Sequence, residues 1–210
     1  DAIGLPLAVP PLEQGSTCVP DPAHGIECEP RVWLRIPVKL GPRSQLWDIA
    51  FTGAEALAPQ TIAAAADVKL GQYVSTIKLE EARRRVVDAY KEEGYAFVDV
   101  KYSLEQSPDH TRARVRFNIS EGEKVIVRSI VLKGNIYTRA SAIKKRIALV
   151  AGEPYRASLV RKTEERIATL GAFSTVTVGL ENPYVPQRNK TVIITMVERP
   201  RQYTEVVPGF

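Results

Sequence analysis

Residues 34–57, LRIPVKLGPRSQLWDIAFTGAEAL, lie without a gap over residues 115–138, VRFNISEGEKVIVRSIVLKGNIYT. Leu34 meets Val115, Ile36 meets Phe117 and Val38 meets Ile119. Further along, Gly41 meets Gly122, Ile49 meets Ile130, Phe51 meets Leu132 and Gly53 meets Gly134, a constant offset of 81 residues. The match runs on through Ile62 with Ile143, Ala66 with Ile147, Val68 with Leu149 and Gly71 with Gly152. After a one-residue slip, Leu79 pairs with Leu159, Val87 with Ile167 and Tyr90 with Leu170. After a further slip of two, Tyr95 meets Phe173, Val98 meets Val176 and Val100 meets Val178. Apolar and glycine positions agree while charged positions do not. Two copies of one fold share their core and turns in this way.

Each copy opens with a strand rich in branched and aromatic residues, LWDIAFTG and VIVRSIVLKG, closed by a glycine that permits a turn. A short helix is predicted over residues 59–68 and about 139–150, with Pro59 in its first turn and Thr138 as N-cap of the second copy. Gly71 and Gly152 fall where a helix C-terminus favours a left-handed residue. A second helix runs over about 78–93 and 158–170. Leu79, Ala82, Val86 and Tyr90 form its apolar stripe, and Gly94 and Gly171 stop it.

Two strands close the unit. In the first copy Val98, Val100, Tyr102 and Leu104 alternate with Phe97, Asp99, Lys101 and Ser103. After a turn at Ser107-Pro108-Asp109, Val115, Phe117 and Ile119 alternate with Arg114, Arg116 and Asn118. The second copy has Val176, Val178 and Leu180, then Val192, Ile194 and Met196. Period-two alternation gives a sheet with one buried face and one wet face. The fold class is α+β: tandem β-α-α-β-β modules, each a three-stranded mixed sheet covered on one face by two helices.

The domain reading that follows gives 44–121 and 122–200 as complete modules. Residues 1–43 are the tail of an earlier, partial module, with Val32, Leu34, Ile36, Val38 and Leu40 as its last strand and residues 5–9 as its hairpin partner. Residues 201–210 are a linker. The passage at 121–124 is short and has no Gly/Ser-rich tract, so free tumbling of one module against the other is not expected.

Across 210 residues, 44% hydrophobic and 25% charged is globular composition, and no apolar run approaches the roughly 18 residues of a membrane-spanning helix. The opening residues do not read as a signal peptide. The net charge of +5 is mild, and the basic triplets at 83–85 and 144–146 fan around helices as solvated faces. Cys18 and Cys28 flank a proline-rich loop, CVPDPAHGIEC. They read as a small-loop disulfide, as two unrelated thiols, or as part of a metal site with His24, which lacks the paired short spacing of zinc ligands.

The run VRFNISEGEKVIVRSIVLKGN resembles the junction between successive POTRA domains. These are the periplasmic polypeptide-transport-associated modules of the BamA/TamA outer-membrane assembly superfamily. Glu121-Gly122 and Gly134-Asn135 carry the resemblance at this module junction, helped by EEGYAFVDV and LGAFSTVTV. The ending VIITMVERPRQYTEVVPGF is similar to the passage from the last module into the β-barrel. The likeness covers about residues 31–210, while the two-cysteine loop departs from the family pattern. It implies the periplasmic face of the outer membrane of a Gram-negative bacterium, and in that oxidising compartment Cys18 and Cys28 are expected to be disulfide-bonded.

The resemblance further implies a scaffold without cofactors that receives unfolded outer-membrane proteins and docks periplasmic or lipoprotein assembly partners beside its own C-terminal β-barrel. The strand after the second helix is the expected client edge: Tyr95, Phe97, Val98, Asp99, Val100, Lys101 and Tyr102. A second candidate edge is Phe173, Thr175, Val176, Thr177 and Val178. Backbone pairing there ignores client sequence, and proline at Asp99 is expected to remove one pairing N–H. Phe97, Asp99 and Lys101 are expected on the wet face. A two-partner secretion transporter is the alternative within the family. A KH-like nucleic-acid module needs a GXXG loop, whereas LGQYVST and AGEPYRAS each hold one glycine, so no nucleic acid is expected. No nucleophile elbow, phosphate loop or HExxH motif appears, so no enzyme is expected either.

Overall fold

A computed structural model describes residues 21–25 and 42–200. Cys18, Cys28, most of the partial first module and residues 201–210 lie outside the described residues. The segment 21–25 is a 3-10 turn over Pro22–His24, capped by the Asp21 carboxylate, which accepts from Ala23 N–H at 3.1 Å and bonds the His24 ring at 2.6 Å.

Residues 42–200 hold two three-stranded sheets. The first contains β1 (Gln45–Thr52), β2 (Asp99–Gln106) and β3 (Arg112–Ser120), in the order β1-β3-β2. The second contains β4 (Ile126–Lys133), β5 (Phe173–Leu180) and β6 (Asn189–Glu198), in the order β4-β6-β5. In each, the first strand is parallel to the central one and the hairpin strand antiparallel to it, so the sheets are mixed. Two helices precede each hairpin: α1 (Pro59–Ala66) and α2 (Thr76–Glu92), then α3 (Ala140–Lys144) and α4 (Ala157–Ala168). The α+β fold and the module pattern agree with the periodicity.

Two cores follow from two sets of inward residues. Leu79, Ala82, Val86 and Tyr90 of α2 close on Val115, Phe117 and Ile119 of β3. Ile143 and Ile167 close on Val192, Ile194 and Met196 of β6. Full burial of each Val, Leu, Ile, Phe or Met side chain among them contributes about 1.5–3 kcal/mol.

The second copy's helices differ from the expected spans. The offset of 81 persists through the second helix, where buried Ala82 and Val86 correspond to buried Thr163 and Ile167. The three-residue contraction therefore falls after Ile167, where α4 stops about one turn early. A loss near 3.6 residues keeps the apolar stripe in phase, which explains why the length change is tolerated there. The first helix of the second copy is also short, and Thr138 is not its cap: Thr138 N–H donates to Glu198 while Arg139 holds the cap position. Gly71 and Gly152 lie beyond the helix ends, on loops whose N–H groups reach Leu46 and Val127 at the outer edges of β1 and β4. Asp67, with φ 46°, ends α1 instead.

Gly53 and Gly134 are required by contact as well as by conformation. Both have positive φ, and an added Cβ would stand 2.2 Å from the Ile119 carbonyl oxygen or 1.9 Å from that of Met196. The turn after each first strand presses directly on the last strand.

Candidate functional site

The main-chain groups at a sheet edge determine what can pair there. In the first module Ser107 N–H donates to the Arg112 carbonyl at 2.9 Å, and β2 and β3 stay in register without a shift. In an antiparallel ladder, hydrogen-bonded pairs recur every second residue. Asp99, Lys101, Ser103 and Glu105 therefore turn their N–H and C=O groups into β3. Val100, Tyr102 and Leu104 turn theirs to the open side. The helix meets that edge once, where Arg83 Nη1 reaches the Val100 carbonyl at 3.5 Å. Among the described residues, nothing bonds to the outward N–H and C=O groups of Tyr102 and Leu104. This phase corrects the expectation for Asp99: proline there removes a bond inside the sheet rather than one at the edge.

In the second module Glu181 N–H donates to the Thr191 carbonyl at 2.9 Å, which sets the same alternation along β5. Thr175 and Thr177 turn inward, Val176 and Val178 outward. Here the helix masks the edge with a charge: the Glu164 carboxylate accepts from Val178 N–H at 2.8 Å. Arg199 Nε donates to the Phe173 carbonyl at 3.0 Å near the strand's other end. The two candidate edges are chemically different: a cation meets one carbonyl of the first, while a carboxylate meets an N–H of the second.

Phe97 is not on a wet face. β2 begins at Asp99, and Phe97 sits half-buried before it, with the Lys190 ammonium of the second module 5.8 Å from its ring centre. Lys190 is 3% exposed, and its ammonium donates to the carbonyls of Asn182 and Val185 at 2.9 and 3.0 Å. Tyr95 packs edge-on against Tyr90 and lies under Lys124. Val98 N–H closes a turn onto the Tyr95 carbonyl.

The passage between modules is anchored at several points. Val125 N–H donates to the Gly94 carbonyl and its own carbonyl accepts from Tyr155 N–H, each at 2.9 Å. Glu92, in the last turn of α2, accepts from the N–H and the hydroxyl of Ser158. Ser158 lies in the first turn of α4, whose cap residue Arg156 supplies no side-chain bond. A carboxylate from one module thus caps the helix of the next, where the helix dipole favours negative charge. The repeat did not reveal this cap, because Glu92 reads as one of several solvated helix charges.

The residues quoted for the junction play a different part. Glu121 accepts from Glu55 and Ala56 N–H groups at 2.8 and 2.9 Å and from the Tyr90 hydroxyl at 2.8 Å. Glu198 does the same in the second module for Tyr137 and Thr138. Both carboxylates brace the loop between a module's first strand and first helix, and Gly134 serves the turn beside it. Asn135 donates to the Thr138 carbonyl at 3.3 Å within that loop. Gly122 alone lies at the passage itself, against Phe97.

Burial raises the Glu121 pKa, but bonds from Ala56 N–H, the Tyr90 hydroxyl and Glu55 N–H outweigh it and hold the carboxyl below its ordinary value. Tyr90 is pushed well above a normal phenol, first by burial and then by Glu121. A depressed carboxyl stabilises the fold above its unfolded pKa, and that contribution is lost as pH falls through the folded value. Thermal melts of wild type should therefore lose stability on acidification, and Glu121→Gln should flatten that slope while lowering stability near neutrality by about 1–2 kcal/mol.

Among the described residues no three His, Cys, Asp or Glu side chains converge as a metal site needs, and no helix is long and apolar enough to cross a membrane. The arrangement offers backbone pairing and surface contact.

A family model described as POTRA, surface antigen variable number repeat, matches residues 47–122 and 125–198. Two curated relatives are named outer membrane protein assembly factor BamA. The one from Nitratidesulfovibrio vulgaris is 23% identical over 176 residues, 82% of this chain and 22% of that protein. The one from Neisseria meningitidis is 29% identical over 103 residues, 48% of this chain and 12% of that protein. The chain thus spans less than a quarter of either relative. BamA POTRA modules 3–5 of Haemophilus influenzae share the fold with a TM-score of 0.63 at 18% identity, over 76% of this chain and 68% of that one. BamA of Haemophilus ducreyi lacking POTRA domains 1–3 gives 0.65 at 19% identity, over 74% and 29%.

Proposed function

The chain belongs to the POTRA family, and from that premise we propose that it is the periplasmic scaffold of an outer-membrane assembly or translocation protein. It captures unfolded outer-membrane proteins by adding their extended segments to β2. Assembly partners of periplasmic or lipoprotein type dock on the same scaffold, and a β-barrel follows the second module in the full-length protein. The division into 44–121 and 122–200, after a partial module at 1–43 and before a linker at 201–210, belongs to this reading. The relatives named as assembly factors support it, and so does an edge of β2 that offers backbone pairing.

The observation that carries the capture is the outward phase of Tyr102 and Leu104. Their N–H and C=O groups stand along an edge where, among the described residues, the helix makes a hydrogen bond at Val100 alone. Each main-chain bond to a client contributes about 0.5–1.5 kcal/mol whatever the client's side chains. Such pairing suits a receptor for many sequences. The edge of β5 is held in reserve by Glu164.

The test is stoichiometry. An extended segment from an unfolded outer-membrane protein, titrated into the intact chain, should bind once per chain. Glu164→Ala, which frees Val178 N–H, should add a second, weaker site. Absence of binding in both proteins, or two equal sites in wild type, would contradict the proposal.

A further inference from the structure

The end of the second module, where β6 closes, carries an apolar surface that its counterpart in the first module lacks. Ile136, Tyr137 and Val197 are exposed there by 78%, 60% and 53%. The offset of 81 that carries Gly53 onto Gly134 places Ile136 where the first module has Glu55, and Tyr137 where it has Ala56. Those glycines press on Ile119 and Met196, so Val197 stands where the first module has Ser120. The braces from Glu121 to Ala56 and from Glu198 to Tyr137 fix the same equivalence. At all three positions a polar or small residue gives way to a large apolar one. Glu55, Ala56 and Ser120 face solvent and need no cover. Ile, Tyr and Val gathered in one exposed patch form a contact surface.

The chain itself leads into this patch. Two grooves of about 580 and 320 Å³ adjoin there and share Tyr137, Glu198, Arg199 and Pro200 in their walls. Arg199 is held twice: its N–H donates to the Ala172 carbonyl at 2.8 Å and its Nε to that of Phe173 at 3.0 Å. Pro200 comes next, so the chain beyond it continues from the groove wall. Residues 201–207 include Tyr203, Val206 and Val207, and fully extended they reach about 23–25 Å. A segment tethered at the groove has an effective concentration of millimolar order, so a contact too weak to hold a free peptide is populated here.

We propose that residues 201–207 fold back into this groove, with the Tyr203 ring between Ile136 and Val197 and Val206 further along it. The first module has no use for such a cover, because Gly122 leads at once to Val125, whose N–H is bonded to the Gly94 carbonyl. Docking converts the linker from a loose tether into a fixed one, and sets the direction in which the chain leaves the second module. The docking is independent of client capture at β2. Its use, aiming the scaffold relative to a β-barrel, rests on the proposed function.

Methyl resonances of Ile136 and Val197 in the intact chain test this. Nuclear Overhauser contacts should join both methyls to the Tyr203 ring. In the full chain carrying Tyr203→Ser with Val206→Ser, both methyls should shift while those of the buried Val115 and Val192 stay in place. A free peptide of residues 201–210 should then bind that double variant about tenfold more tightly than wild type, whose groove is already filled by its own tethered segment. Ile136→Glu, which writes in the first module's residue at an exposed position, should abolish both the contacts and the peptide binding with the circular dichroism spectrum unchanged. Unmoved Ile136 and Val197 methyls in the double variant would overturn the proposal, and so would equal peptide affinity for the double variant and wild type. Methyl positions that depend on protein concentration would assign the patch to a second copy. A shift seen only on adding an outer-membrane-protein segment would assign it to a client. Either result rejects the docked segment and leaves capture by β2 to its own test.

Discussion

Gly134→Ala is expected to unfold the second module at denaturant concentrations where the first stays folded, and Gly53→Ala to do the reverse. The added Cβ would lie 1.9 Å from the Met196 carbonyl oxygen, or 2.2 Å from that of Ile119. Those are atoms of the central strand, held in place by pairing on both sides, so no flexible side chain can yield. The positive φ of 89° or 77° adds its own penalty. Together these place each substitution at about 3–5 kcal/mol, the upper range for single changes. Gly152→Ala is the matched control. It shares a positive φ, 91°, but its Cβ meets nothing within 4 Å, so it should lose only about 1–2 kcal/mol. Urea unfolding followed by circular dichroism should turn biphasic in Gly134→Ala and Gly53→Ala but not in the control. Equal losses in Gly134→Ala and Gly152→Ala would show that conformation, and not contact with the last strand, sets the requirement.

Proline at Tyr102 is expected to lower affinity for an extended client peptide more than tenfold, with the sheet intact. The Tyr102 N–H faces the open side, so proline removes a donor that β3 never used, and proline is tolerated on edge strands for that reason. Its ring also disrupts the neighbouring pairs, so the loss exceeds the 0.5–1.5 kcal/mol of one bond. Tyr102 packs its ring on Phe117, with centroids 6.0 Å apart, and Tyr102→Ala removes that contact while keeping the N–H. Alanine should cost some stability but little binding. Proline at Asp99 makes the contrast, because its N–H pairs with β3: that variant should lose stability first. Peptide titration and thermal melts on the three proteins separate the outcomes.

Much of this was legible in the chain because core positions repeat with periods that the backbone imposes. The paired glycines at 53 and 134, the alternation of Val115, Phe117 and Ile119, and the stripe from Leu79 to Tyr90 each reflect one element's own geometry. The braces were not legible. Glu121 follows β3 and Glu198 ends β6, and only the folded chain brings them to the N–H groups of a loop some 60 residues away in sequence. Phe97 reads as a wet-face residue only if the alternation extends back past Asp99, where the strand starts. Side-chain alternation also does not say which N–H groups face outward, since that depends on which neighbour pairs first. The Ser107 bond to Arg112 sets this phase, and it is a property of the hairpin turn. Glu164 and Glu92 illustrate the same limit. Each is one charge among many on a helix surface until the neighbouring backbone is in place.

Amide hydrogen exchange tests the central claim most directly. In the free chain, Tyr102 and Leu104 should exchange quickly while Lys101 and Ser103, bonded to β3, are protected. Adding an extended outer-membrane-protein segment should slow Tyr102 and Leu104 together and leave Val178, already bonded to Glu164, unchanged. Slowing confined to helix amides, with Tyr102 and Leu104 still exchanging at their free rates, would contradict strand addition at β2.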